Sequence, residues 1–136
     1  MRNKSLLVIS LVVVATLFPI SKTVEVEVHI KKPVKVATKA TMAQKRANII
    51  LAQQYARAGW GWTGHQWQCA YKIFMKESRF DHLAKNMQGS SAFGIGQVLK
   101  EKSKDPAIQL LHAYKYIEHR YDTPCTAWSH HRRGWY

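Results

Sequence analysis

The sequence predicts a mainly α-helical domain of about 95 residues, large enough to bury one core, behind a short N-terminal lead-in. Three observations predict it. Apolar residues recur at helical spacing in three separate stretches, 42–58, 67–74 and 107–121. Each stretch follows a residue suited to cap a helix: Thr41, then Thr63 or Gly64, then Asp105. The one clear period-two alternation lies at residues 24–30 and finds no second strand to pair with.

Residues 1–21 place Arg2 and Lys4 before an uncharged apolar run, 6–20. This is the charged and hydrophobic order of an export signal. The run is shorter than the ~20 residues a spanning helix needs. Val13-Val14-Ala15 is the nearest thing to a small-residue cleavage site, so a cleaved signal and a retained membrane anchor both remain open. Residues 22–41 read as an extended linker. Val24, Val26, Val28 and Ile30 alternate there with Glu25, Glu27, His29 and Lys31, and Pro33 then argues against a packed element.

The domain proper spans 42–136. Its first helix is predicted from Met42 to Gly59, with Ala43, Ala47, Ile50, Leu51, Gln54 and Ala58 as the apolar face. Trp60-Gly61-Trp62-Thr63-Gly64 breaks it, with tryptophans set either over a groove or into the core. The second helix carries Trp67, Ala70, Tyr71 and Phe74 at i, i+3, i+4 and i+7. Glu77 continues that stripe, three residues past Phe74 and seven past Ala70. An apolar face therefore ends in a carboxylate. Apolar surroundings disfavour the anion and raise its pKa, which suits a proton donor near neutral pH. Lys76 and Arg79 are the nearby cations that would instead make it an ordinary surface pair.

Residues 81–93 are polar and aperiodic, the pattern of a functional loop. Residues 95–100 are expected to start a short helix, and Glu101-Lys102-Ser103-Lys104 a charged turn. Asp105-Pro106 is a strong helix start. Ala107, Leu110, Leu111, Tyr114, Ile117 and Tyr121 trace one face of the helix that follows, and a last short helix runs from Pro124 to about His131.

The formal charge is +13, with seven basic residues against two acids before Thr41 and fourteen against six from there on. The excess is global, and it implies a polyanionic partner: nucleic acid, an anionic membrane, or a wall polymer bearing carboxylates and phosphates. No nucleic-acid motif accompanies the charge. The two cysteines, Cys69 and Cys125, would be free thiols in the cytosol and one disulfide in an exported chain.

Six acids follow the linker: Glu77, Asp81, Glu101, Asp105, Glu118 and Asp122. Asp105 caps a helix, Glu101 lies among lysines, and Glu118 and Asp122 have basic neighbours. No second carboxylate is placed to flank a sugar opposite Glu77, as two-carboxylate glycosidases require. Metal chemistry finds little support. His130 and His131 are adjacent, and His112 and His119 lie two turns apart without a carboxylate or thiolate beside them. Ser90 and Ser91 lack a nucleophile-elbow context, and Gly94-Ile95-Gly96 lacks the strand and third glycine of a dinucleotide site. No cofactor is implied.

Glu77-Ser78-Arg79-Phe80, then Ala84 and Asn86, then Ser91-Ala92-Phe93-Gly94-Ile95-Gly96-Gln97, resembles the core motif of soluble lytic transglycosylases. Asp105-Pro106, Tyr116-Ile117, Arg120-Tyr121 and the ending Cys125-x-Ala127-Trp128-x-His130 … Gly134-Trp135-Tyr136 are similar to the small Gram-positive and phage branch of that group. The resemblance implies a lysozyme-like helical fold with an active-site groove. It also implies cleavage of peptidoglycan between N-acetylmuramic acid and N-acetylglucosamine, with formation of a 1,6-anhydro end. Glu77 matches the single catalytic acid/base and Gln97 the sugar-binding glutamine. Tyr116 falls where an aromatic lines the site. Asn86 stands where many members have serine, as an amide-contacting donor, and Gly96 where the commonest motif has methionine. Trp128 is a further candidate, as a stacking platform for sugar or as a core residue beside the cysteines. The implied partners are glycan strands and anionic wall polymers. The implied location faces the cell wall, by secretion, anchoring or association with a virion. A muramidase hydrolysing the same bond and a non-catalytic cationic wall-binding module are the alternatives.

Overall fold

The computed structural model describes residues 37–134, and among them the chain is mainly helical. The signal-like run and the alternating stretch at 24–30 lie outside the described residues, as do Trp135 and Tyr136. No helix among the described residues is long and apolar enough to cross a membrane.

Helix α1 (Met42–Trp60) opens with a capping box. Gln44 N–H donates to Thr41 Oγ1 at 3.2 Å, and Thr41 N–H donates to Gln44 Oε1 at 2.8 Å. It closes two residues later than predicted, at Gly61, whose φ of +65° is the left-handed turn that glycine adopts without strain. The expected apolar face is corrected. Asn48, Ala52 and Ala56 are buried, whereas Ala43, Ala47, Gln54 and Ala58 are exposed and Ile50 is 59 % exposed. Two things override the periodicity. Ala52 and Ala56 are small enough for close helix approach, and the Tyr114 hydroxyl donates to the Ala52 carbonyl at 2.8 Å. Asn48 is drawn inward by hydrogen bonding, donating from Nδ2 to the Phe80 carbonyl at 2.9 Å and meeting His82 Nδ1 at 3.2 Å.

Helix α2 (Gly64–Glu77) buries Cys69, Ala70, Ile73 and Phe74. The buried stripe is rotated from the predicted one. Tyr71 lies at the surface, edge-on to the half-buried Trp67, while Ile73 takes the inward place. The predicted tryptophan turn is a core element. Trp60 and Trp62 stack at 5.5 Å and both rings meet Tyr114, at 5.2 and 5.7 Å.

The chain leaves α2 through Arg79 and Phe80, both left-handed at φ +55° and +58°. Such a conformation costs on the order of 1–3 kcal/mol for a non-glycine residue. The Phe80 ring is wholly buried against Phe74, and that burial offsets the cost. The short helix expected at 95–100 is absent. An antiparallel hairpin stands there, β1 (Ala92–Phe93) against β2 (Val98–Leu99), pairing Ala92 with Leu99 and Phe93 with Val98. Its turn holds left-handed Gly94 and Gln97, which a helix could not accommodate.

Helix α3 (Pro106–Tyr121) starts where predicted, with Asp105 accepting from Ala107 N–H at 2.8 Å. It buries Leu110, Tyr114, Ile117 and Tyr121 as its spacing implied, whereas Ala107 and Leu111 are partly exposed and Gln109 and Ala113 are buried in addition. Helix α4 (Pro124–Arg132) packs along α2, and the Cys69–Cys125 disulfide joins them with Cα atoms 5.0 Å apart. The bridge closes a loop of 56 residues, worth about 4 kcal/mol by loop entropy. The core runs through Phe74, Phe80, Ile95, Leu110, Tyr114, Ile117 and Ala127, with α2 and α3 at its centre.

Candidate active site

Glu77 is the last residue of α2, and the hydrogen bonds after it explain the residues around it. Ser78 Oγ donates to the Ile95 carbonyl at 2.7 Å and accepts from Asp81 N–H at 3.2 Å. The serine thus ties the hairpin turn to the helix end. From the other side, buried Gln109 holds the same turn. Its Oε1 accepts from Ile95 N–H at 2.9 Å, and its Nε2 donates to the carbonyls of His82 and Ser103 at 2.9 and 2.7 Å. Helix end, loop and hairpin are one fastened unit.

A cleft of about 520 Å³ opens beside it. Glu77, Asn86, Gln97 and Tyr116 all line it, with His131 beside Glu77. Four of the five sugar-site candidates therefore share one concavity. Trp128 does not line it. Its ring packs against the core and stacks on His131 at 5.5 Å and 28°, where it supports the imidazole.

The Glu77 side chain is 18 % exposed. Burial raises its pKa, and the His131 hydrogen bond and charge act against that rise. His131 Nε2 lies 2.7 Å from Glu77 Oε1. Neither Lys76 nor Arg79 forms an ion pair with it. His131 is the residue that sequence reasoning missed. A signal for it was present. Glu77 stands eight residues beyond Cys69, and His131 six beyond Cys125. On two helices running side by side from a disulfide, those steps rise about 12 and about 9 Å, which brings the two side chains level.

The amides offer complementary groups. Gln97 spends both Nε2 protons inside the loop, on the carbonyls of Ala84 and Gly94 at 3.1 and 2.9 Å. Its Oε1 is left to accept from a ligand. Asn86 does the reverse: Oδ1 accepts from Gln88 N–H at 2.7 Å, which leaves Nδ2 to donate. Tyr116 stands edge-on to Tyr121, with the Arg120 guanidinium 5.9 Å from its ring.

Asp81 does not join this cleft. Its Oδ1 accepts from the N–H groups of Ala40 and Leu83 at 3.0 and 2.9 Å, and Lys45 Nζ lies 3.5 Å from Oδ2. Glu101 is likewise engaged. Burial would raise its pKa, but hydrogen bonds from His112 and Ser103 hold it below the usual carboxylate range. His65, Cys69 and Cys125 place ligand atoms within 4.8 Å of one another, but the two sulfurs are bonded to each other and offer no thiolate.

Glu77 also forms part of the wall of a second, larger cleft of about 770 Å³, on the side of Lys76 and Arg79. No protein-family model, curated protein or solved structure matches the chain.

Proposed function

We propose that the domain is a lysozyme-like peptidoglycan lytic transglycosylase, secreted or anchored so that it faces the cell wall. One observation carries the reading. Glu77 is the only carboxylate among the described residues lining the cleft that also holds Asn86, Gln97 and Tyr116, and burial favours its protonated form. A solitary acid suits a reaction in which the substrate supplies the nucleophile.

In this reading His131 Nε2–H donates to Glu77 Oε1, and the carboxylic proton sits on Oε2. Glu77 gives that proton to the glycosidic oxygen as the bond from C1 of the muramyl residue breaks. The N-acetyl oxygen of the same sugar stabilises the positive charge at C1. Glu77, now a carboxylate, takes the proton of the muramyl 6-hydroxyl as O6 bonds to C1. The acetamide is restored and a 1,6-anhydro end forms, with no water consumed. An acetamide has one N–H and one carbonyl, and the Gln97 Oε1 acceptor and Asn86 Nδ2 donor suit those two groups.

A hydrolytic muramidase needs a base or nucleophile opposite Glu77. The nearest acid in sequence, Asp81, is held by two backbone amides and Lys45 and lines the other cleft. The test is clearing of purified sacculi by wild type and by Glu77→Gln. Clearing should require Glu77, and equal clearing by both would refute the assignment. Salt-sensitive binding without clearing by either would mark a cationic wall-binding module.

A further inference from the structure

The larger cleft beyond Glu77 is strongly cationic. Lys39, Lys76, Arg79, Lys85 and Lys104 line it, all exposed, and among the described residues none has a hydrogen-bond or ion-pair partner for its charged group. The acids on its wall are already engaged, Asp81 by Lys45 and Glu77 by His131. Leu83, Ala84, Met87 and Phe93 add apolar surface, and Thr38 and Ser78 are the uncharged polar residues of the lining. About 770 Å³ lies within the usual range of ~300–1,000 Å³ for a ligand cleft. Five cations left unpaired beside these apolar side chains are not a sugar site, because a neutral glycan offers nothing for them to compensate. They fit an anion that also carries small aliphatic groups.

We infer that this cleft seats an acidic peptide, the carboxylate-bearing stem that substitutes the muramyl residue of the glycan. The inference rests on the proposed function for its choice of substrate. Contiguity supports it: Glu77 is common to both clefts, so a ligand here lies next to the bond under attack. A muramyl residue carries its peptide on that same sugar. The enzyme then prefers peptide-substituted strands to bare glycan, and the cleft cations recognise carboxylates rather than the general charge of the wall.

The test uses the wild type, Lys85→Gln/Lys104→Gln in the cleft, and a control pair of equal charge, Lys72→Gln/Lys115→Gln, exposed and outside both clefts. The probes are the free stem tetrapeptide, the same peptide with its carboxylates amidated, and a glycerol-phosphate polymer. The cleft pair should bind the free peptide about fivefold more weakly than wild type, the effect of two partly exposed charge contacts, while the control pair binds it like wild type. The amidated peptide should bind all three alike. Equal weakening in both pairs, or none in either, overturns the inference. So does selective loss of polymer binding in the cleft pair with peptide binding intact, which would assign the cleft to wall phosphates. Turnover on peptide-stripped strands, wild type against Glu77→Gln, separately tests the reading on which the inference rests. Stripped strands cleaved as fast as substituted ones would leave that reading standing and remove the peptide from recognition.

Discussion

His131 Nε2 lies 2.7 Å from Glu77 Oε1, so the two helices bonded through Cys69 and Cys125 near their starts meet again at their ends. A carboxyl at the end of an apolar helix face thereby acquires an orienting partner from a segment 54 residues away. Burial and this partner act on its proton in opposite directions. Net, the folded protein holds the Glu77 proton to a higher pH than an ordinary glutamate does.

The first prediction concerns rate against pH. Glu77 must be protonated to act as an acid, so glycan cleavage should fall as pH rises through its elevated pKa. His131 lowers that pKa, and His131→Ala should move the alkaline limb to higher pH. Cations facing the neighbouring cleft, Lys76 and Arg79, remain in both proteins. A limb that stays in place or moves to lower pH would contradict the assignment.

The same proton is linked to stability. A group whose folded pKa is raised binds its proton more tightly when folded. Its contribution is fully present below the unfolded pKa of about 4.3 and is lost as pH rises through the folded value. Ionised Glu77 therefore weakens the fold at neutral pH. Glu77→Gln should therefore raise Tm at pH 7. The gain should vanish near pH 4. Thermal melts at the two pH values check it.

Asn86 separates a ligand role from a structural one. Asp at this position still accepts from Gln88 N–H but loses the Nδ2 donor. Asn86→Asp should leave Tm within about 2 °C and raise KM about tenfold, the value of one lost hydrogen bond at ~1.4 kcal/mol. Steady-state kinetics on soluble glycan strands, paired with melts, measures both.

Gly96 is a packing constraint. A Cβ built there would lie 2.6 Å from the Cβ of Ala113 on α3. Gly96→Ala should cost about 1–3 kcal/mol. Adding Ala113→Gly should restore part of it, less the ~1 kcal/mol that glycine costs inside a helix. Chemical denaturation of the two single variants and the double gives the coupling.

The helices were legible because their signals were local. Asp105-Pro106 and Thr41 cap as their chemistry dictates, and α3 buries four of its six predicted stripe residues, Leu110, Tyr114, Ile117 and Tyr121. The α1 face was not legible, because alanines fit surface and core alike and the inward turn depends on Asn48 finding the Phe80 carbonyl and Tyr114 reaching Ala52. The hairpin at 92–99 was hidden for a related reason. Its strands have two residues each, too short for periodicity, and its turn is held by Ser78 and by Gln109, a glutamine that reads as an ordinary polar position on a helix. Glu77, Asn86, Gln97 and Tyr116, named by the resemblance at 77–97 and 116–117, line one cleft. His131 emerges only when the disulfide sets the register between α2 and α4. Trp128 had a correct neighbourhood but supports the imidazole from outside the cleft.

The central claim is that Glu77 transfers a proton twice while the sugar closes on itself. Mass spectrometry of the fragments released from sacculi measures this most directly. Wild type should yield ends lighter by one water than a reducing sugar, and Glu77→Gln should yield none. Reducing ends, or anhydro ends released equally by Glu77→Gln, would contradict it.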